Sequence, residues 1–107
     1  NLDPDMIIFK SVLHDWPSDR AANLIDKACR HLAVGGALII IERCQFSAKN
    51  IFERKLFDAA NIVFSPFYRD SDSYVAMIDK HTPHRMLHET YSFDLDMRWF
   101  CLVARKI

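Results

Sequence analysis

Glycine is nearly missing from this chain: two in 107 residues, adjacent at Gly35 and Gly36. They leave no GxGxG segment of the kind that lets a backbone wrap a nucleotide or a phosphate. Net charge is missing too, with fourteen basic residues against fourteen acidic and no block of one sign. That removes the electrostatic argument for a nucleic acid or an anionic membrane as partner. No apolar run comes near the ~18 residues of a membrane span, and no signal peptide is visible. The three cysteines, Cys29, Cys44 and Cys101, are odd in number and far apart. They offer neither a disulfide framework nor a CxxC pair for zinc or redox work, so free thiols in a reducing cytoplasm are the expectation. What remains is half apolar and a quarter charged, the balance of one soluble globular domain. A chain that starts at Asn1 is expected to be a piece of something longer or a trimmed product.

The most organised stretch is MIIFKSVLHDW, Met6 to Trp16. Apolar and β-branched residues run nearly continuously from Met6 to Leu13, predicting a strand covered on both faces, as in a parallel sheet. Lys10 and Ser11 interrupt the run. Ser18 stands where a helix N-cap belongs, with Asp19 at the positive end of the helix dipole. Ala21, Leu24, Ile25, Ala28, Cys29 and Leu32 then recur at helical spacing along one face, and Gly35-Gly36 stops the helix. Ala37 to Ile41 is a second apolar strand, ending in Glu42 and Arg43. Strand, helix, strand is a βαβ unit, right-handed in nearly all known cases, so the two strands run parallel. Their carboxyl ends share one edge of the sheet, where open α/β sheets place ligands. His14 and Glu42 therefore emerge on the same side.

The remainder predicts a helix over roughly Asn50 to Phe64, ended by Pro66. A short helix follows through Tyr74, Met77 and Ile78, capped by Asp70 or Ser71, and Pro83 breaks it. Two antiparallel strands close the chain, His84 to Phe93 and Met97 to Arg105, joined by the Asp94-Leu95-Asp96 link. Phe57, Phe64, Phe67 and Tyr68 read as core. His81, His84 and His88 straddle Pro83 and share no regular face, so no metal site is assigned.

At this point FKSVLHDWPSD, followed by a helix, Gly-Gly and LIIIER, resembles the C-terminal half of small-molecule O-methyltransferases that use S-adenosylmethionine. The family includes plant phenolic enzymes and bacterial enzymes of secondary metabolism. The resemblance implies an α/β fold: the C-terminal half of a Rossmann-like class I methyltransferase sheet, a parallel βαβ unit followed by helices and an antiparallel terminal hairpin. Residues 1–107 would be a partial catalytic domain, the fourth strand onward. His14 matches the general base that takes the proton from the acceptor hydroxyl, and Glu42 the carboxylate that hydrogen-bonds it. Lys10 matches a lysine beside the S-adenosylmethionine, and Trp16 an aromatic near its adenine. A second carboxylate usually stands in a G-x-E-R turn. Here that turn is Pro66-Phe67-Tyr68-Arg69, with Tyr68 in the glutamate's place. The glycine-rich loop and the ribose-holding acid are absent, so little cofactor binding is expected from this piece alone.

Methyl transfer from a sulfonium to oxygen needs alignment and a deprotonated acceptor. A phenol titrates near pH 10, so a histidine poised near neutrality adds roughly 10²–10⁴-fold by taking its proton. The expected partner is a small hydroxyl-bearing acceptor, aromatic or polyketide-like, with no metal required. Two other readings stand beside this one. One is a non-catalytic remnant or interaction module that keeps the half-fold; the other is a different Rossmann-like, nucleotide-dependent enzyme. Without its family neighbour, the Ile7–Leu13 strand would leave an open apolar edge, so self-association as a homodimer is also expected.

Overall fold

The computed structural model describes residues 3–43, 69–82, 86–94 and 98–107. The elements run β1 (Met6–Lys10), α1 (Ser18–His31), β2 (Ala37–Arg43), α2 (Ser71–His81), β3 (Met86–Asp94) and β4 (Arg98–Lys106). Among the described residues the strands form one four-stranded sheet in the order β1-β2-β4-β3. β1 and β2 are parallel, Met6 opposite Ala37 through Lys10 opposite Ile41. β4 inserts antiparallel between β2 and β3. The α/β class, the parallel βαβ unit and the antiparallel closing pair thus match the expectation.

Both described helices pack on one face. Ala21, Ile25, Ala28, Cys29 and Leu32 of the α1 segment meet Leu38 and Ile40 of β2, Phe100, Leu102 and Ala104 of β4, and Tyr74 and Ile78 of α2 in a single buried cluster. Each fully buried Ile or Leu there contributes about 1.5–3 kcal/mol from water exclusion. The period-2 alternation of β2 and β4 puts Leu38, Ile40 and Glu42 beside Ala104, Leu102 and Phe100 on this face. On the opposite face the outer strands are exposed: Met6 is 55% and Ile8 53% exposed, and Leu87, Tyr91 and Phe93 of β3 are exposed as well, while Ile39, Ile41, Cys101 and Val103 of the central strands are half-buried. The expectation that β1 is covered on both faces is therefore corrected. Only Ile7 and Phe9 pack against the core.

β1 is also shorter than the apolar run. It ends at Lys10, because Ser11 takes a left-handed backbone (φ 54°) while its N–H still donates to the Ile41 carbonyl (3.0 Å). That kink turns the chain over the sheet edge and sends Leu13, fully buried, into the core. Leu13–Asp15 becomes a 3-10 turn rather than the end of the strand. The start of α1 needs a correction too. Pro17 holds the N-cap position and Ser18 is the first helical residue, making no side-chain cap. Its hydroxyl instead accepts a hydrogen bond from Arg69 Nε (3.3 Å). At α2 the alternative resolves to Asp70, whose carboxylate accepts from Ser73 N (2.9 Å) and Ser73 Oγ (2.8 Å). Those bonds hold the Asp70 carboxyl below its usual pKa.

Gly35 and Gly36 do separate jobs at the end of α1. Gly35 has φ +84°, and a Cβ on Gly36 would lie 2.8 Å from the Ala33 carbonyl oxygen and 2.9 Å from that of Asp5. Lys106 reaches the same place from β4: its buried Nζ donates to the carbonyls of Cys29 (2.8 Å) and Leu32 (2.7 Å). It satisfies acceptors that the helix leaves unpaired. The expected helix over Asn50 to Phe64, the aromatics Phe57, Phe64, Phe67 and Tyr68, residue His84 and the Leu95-Asp96 link lie outside the described residues. None of the described helices is long and apolar enough to cross a membrane.

Candidate active site

The carboxyl edge of β1 and β2 brings His14 and one buried carboxylate together. Glu42, near the end of β2, is 1% exposed. A charge so placed must be hydrogen-bonded to persist. Its Oε1 accepts from the backbone N–H groups of Leu13 (3.0 Å) and His14 (3.3 Å). Its Oε2 lies 2.8 Å from His14 Nδ1. The 3-10 turn is what permits this. Two successive N–H groups point at one oxygen only because the chain has left the strand. Glu42 thus contacts both the backbone and the ring of His14.

Glu42 takes the Nδ1 side of the ring, so the proton shared with the carboxylate belongs on Nδ1 and Nε2 is the basic nitrogen. Nε2 lies 3.3 Å from Asp15 Oδ1. The Asp15 side chain is 65% exposed and can swing away, whereas Glu42 cannot. Among the described residues the ring therefore meets one buried carboxylate, Glu42, and one surface carboxylate, Asp15.

Trp16 follows at once. It is 39% exposed and lines a hollow of about 450 Å³ with Arg20, Asn23, Leu24 and Lys27. Its indole offers a flat apolar surface beside polar and cationic groups. Lys10 is not drawn into this cluster. It is the last residue of β1 and lies exposed on the face that carries Met6 and Ile8, and among the described residues no hydrogen bond or ion pair holds it. The structure brings His14 and Glu42 into contact, sets Trp16 two residues on, and leaves Lys10 at the same edge but on the other face.

Two residues at the site carried no functional assignment from sequence. Arg69 packs beneath the His14 loop, donating to the carbonyls of Trp16 (2.6 Å, from Nη2) and Leu13 (3.1 Å, from Nη1). Tyr74 is fully buried; its hydroxyl accepts from Arg69 Nη1 (3.3 Å) and its ring tilts against Phe100 at 5.8 Å. Burial is the main reason its hydroxyl is pushed up to about 12, with the nearby Glu42 charge adding and Arg69 opposing. The only sequence signal for Arg69 was its place at the end of the Pro66-to-Arg69 turn. Its partners in the His14 loop, Leu13 and Trp16, lie more than fifty positions away, beyond any local pattern.

The O-methyltransferase domain model matches residues 3–81. No curated protein matches the sequence. Among solved structures, the chain is similar to a family 2 O-methyltransferase from Planctomyces limnophilus in complex with apigenin (22% identity, TM-score 0.68), covering 96% of this chain and 31% of that one. It is similar to human N-acetylserotonin methyltransferase in complex with SAM (18% identity, TM-score 0.67; 99% and 30% covered). It is similar as well to the methyltransferase CalO6 (17% identity, TM-score 0.71; 96% and 36% covered). At these identities the likeness is one of fold. The chain spans about a third of the length of each of these proteins.

Proposed function

The chain belongs to the O-methyltransferase domain family, and on that premise we propose that it forms the part, from the fourth strand onward, of an S-adenosylmethionine-dependent enzyme in which His14 is the general base. The observation that carries this reading is the grip of Glu42 on both the backbone and the ring of His14. A histidine that served only as a polar loop residue would have no need of it.

S-adenosylmethionine, when bound, supplies a methyl group already activated on sulfur. The residues present fit part of its site. The exposed Trp16 indole with the hollow beside it suits a flat heteroaromatic ring, while Lys10 stands at the same sheet edge but on the other face. The glycine-rich loop that would complete the site is not in this chain. The acceptor hydroxyl takes the place of Asp15 at Nε2, and Nε2 removes its proton as the oxygen becomes the nucleophile. Glu42, holding the Nδ1–H, keeps the ring in the productive tautomer and stabilises the imidazolium that results. The acceptor is a small hydroxyl-bearing molecule, aromatic or polyketide-like; the flavone apigenin bound by the Planctomyces protein is a reasonable first probe.

The test is His14→Ala in the full-length protein that carries this chain. Turnover is expected to fall at least ~10²-fold while donor affinity stays within a factor of two or so. Wild-type turnover in that variant removes the base assignment.

A second reading, an interaction module, draws on a different observation. Among the described residues β1 stands at the edge of the sheet with Met6 and Ile8 exposed, an arrangement that favours pairing. On that reading the 107-residue chain dimerises through β1 across a two-fold axis and does not bind S-adenosylmethionine. Sedimentation and calorimetry test both points. A monomer that binds the donor tightly would overturn this reading, and with it the view that the donor site is incomplete here.

A further inference from the structure

We propose that Arg69 is a positioning residue that sets the aim of His14 through the backbone of the loop carrying it; the inference rests on the methyl-transfer reading above. The His14 loop is held from two sides by opposite chemistry. Glu42 takes its N–H groups, those of Leu13 and His14. Arg69 takes its carbonyls, those of Leu13 and Trp16. The same guanidinium donates to Ser18 Oγ, the first residue of α1, and to the Tyr74 hydroxyl, and it lies 5.7 Å from the centre of the Tyr74 ring. One planar group therefore ties the loop, the start of α1 and the buried face of α2 together.

The geometry demands arginine. Three nitrogens of one rigid fork serve four acceptors in different directions, which a single ammonium cannot do. Arg69 is itself anchored, because Asp70, the next residue, is the N-cap of α2 and is fixed by Ser73. Glu42 alone leaves the loop able to rock about its N–H contacts, and the ring would rock with it. A displacement of about 1 Å at the reacting atom is worth on the order of 10²-fold in rate. The hold on the carbonyls stops that motion without touching substrate, which makes Arg69 a positioning rather than a catalytic residue.

The experiment compares Arg69→Ala, Arg69→Lys and His14→Ala in the full-length protein, measuring kcat, KM for donor and acceptor, thermal melting and the pH–rate profile. Arg69→Ala is expected to lower kcat at least ~30-fold while each KM stays within about threefold, and millimolar guanidinium chloride should restore at least ~10-fold of the loss. Arg69→Lys keeps the charge and should remain within about threefold of the alanine variant. His14→Ala should not respond to guanidinium. Because the lysine variant retains charge and stem, it carries the test if the alanine variant does not fold. A lysine variant with wild-type kcat overturns the proposal. So does a loss of activity that only follows the unfolded fraction and is not rescued. If His14→Ala keeps full turnover, it is the methyl-transfer reading that fails, and this result is distinct from either of those.

Discussion

The two edges of this sheet solve the same problem with opposite charges. At the amino edge, buried Lys106 reaches from β4 to take the carbonyls of Cys29 and Leu32 at the end of α1. At the carboxyl edge, buried Glu42 takes the N–H groups of Leu13 and His14. Each ion is removed from water, and each is stabilised by backbone dipoles that would otherwise lack partners. The difference is what else each one holds. Lys106 spends its donors on main chain and on nothing that can react. Glu42 keeps one oxygen for the His14 ring and leaves that ring's second nitrogen beside a surface aspartate that can move. The two buried charges thus differ in what they hold: main chain alone at one edge, main chain and a titratable ring at the other.

Breaking both holds should separate them most widely. Glu42→Leu strands three donors and is expected to cost about 3 kcal/mol or more in denaturant unfolding, with turnover lost as well. Lys106→Met keeps the stem and leaves the Cys29 and Leu32 carbonyls without that donor. It should cost about 1–2 kcal/mol and leave turnover within a factor of two. Equal losses of activity in the two variants would mean that both edges merely support the fold.

The amino edge can be tested within itself through its two glycines. In Gly36→Ala the new Cβ meets backbone oxygens of Ala33 and Asp5 that cannot give way, so about 2 kcal/mol is expected. Gly35→Ala meets nothing, and only its positive φ opposes it, at about 1 kcal/mol. Melting temperatures in the reverse order would show that the strand–helix contact at Asp5 is looser than it looks.

What the sequence made legible follows from these same edges. The βαβ unit, the one-sided stripe of α1 and the shared exit of His14 and Glu42 are consequences of periodicity and handedness, and they appear in the fold. The strand's true end does not. An apolar run cannot reveal that Ser11 turns left-handed or that Leu13 leaves the ladder for the core, because both are decided by Glu42 catching the loop from another strand. Ser18 misled for a similar reason: its hydroxyl suits a cap, but Arg69 claims it from the start of a distant helix. Tyr74 and Arg69 were invisible as site residues because their partners are joined only by folding.

A subtler change sharpens the carboxyl edge alone. Glu42→Gln keeps an oxygen for the Leu13 and His14 N–H groups, so stability should change by less than about 1 kcal/mol. The amide nitrogen can then donate to Nδ1, which puts the ring's proton on Nε2, the wrong nitrogen for a base. Turnover should fall about tenfold, less than in His14→Ala, as the ring loses its tautomer and its carboxylate partner. Wild-type turnover in this variant would mean that the contact does not set the tautomer of the ring.

The smallest expected effect compares the edges through two buried acids that hold their protons. Cys29, beside Lys106, has its thiol pushed up to about 11, first by burial and then by the Asp26 charge, with Lys106 opposing. Tyr74, between Glu42 and Arg69, is pushed up to about 12. In both cases the folded value lies above the ordinary one of 9.0 or 10.0, so the unfolded chain releases its proton first. Stability is then intact below the ordinary value and falls as pH rises toward the folded one, by at most about 1.4 kcal/mol per pH unit for each group. Loss at the amino edge should therefore begin near pH 9 and at the carboxyl edge near pH 10. Measured against wild type by denaturant unfolding, Cys29→Ala should flatten the decline from about pH 9 to 11 and Tyr74→Phe that from about pH 10 to 12. If the tyrosine variant instead flattens the earlier part, the carboxyl edge admits more water than its packing against Phe100 implies, and the Glu42 hold on His14 is weaker than its geometry suggests.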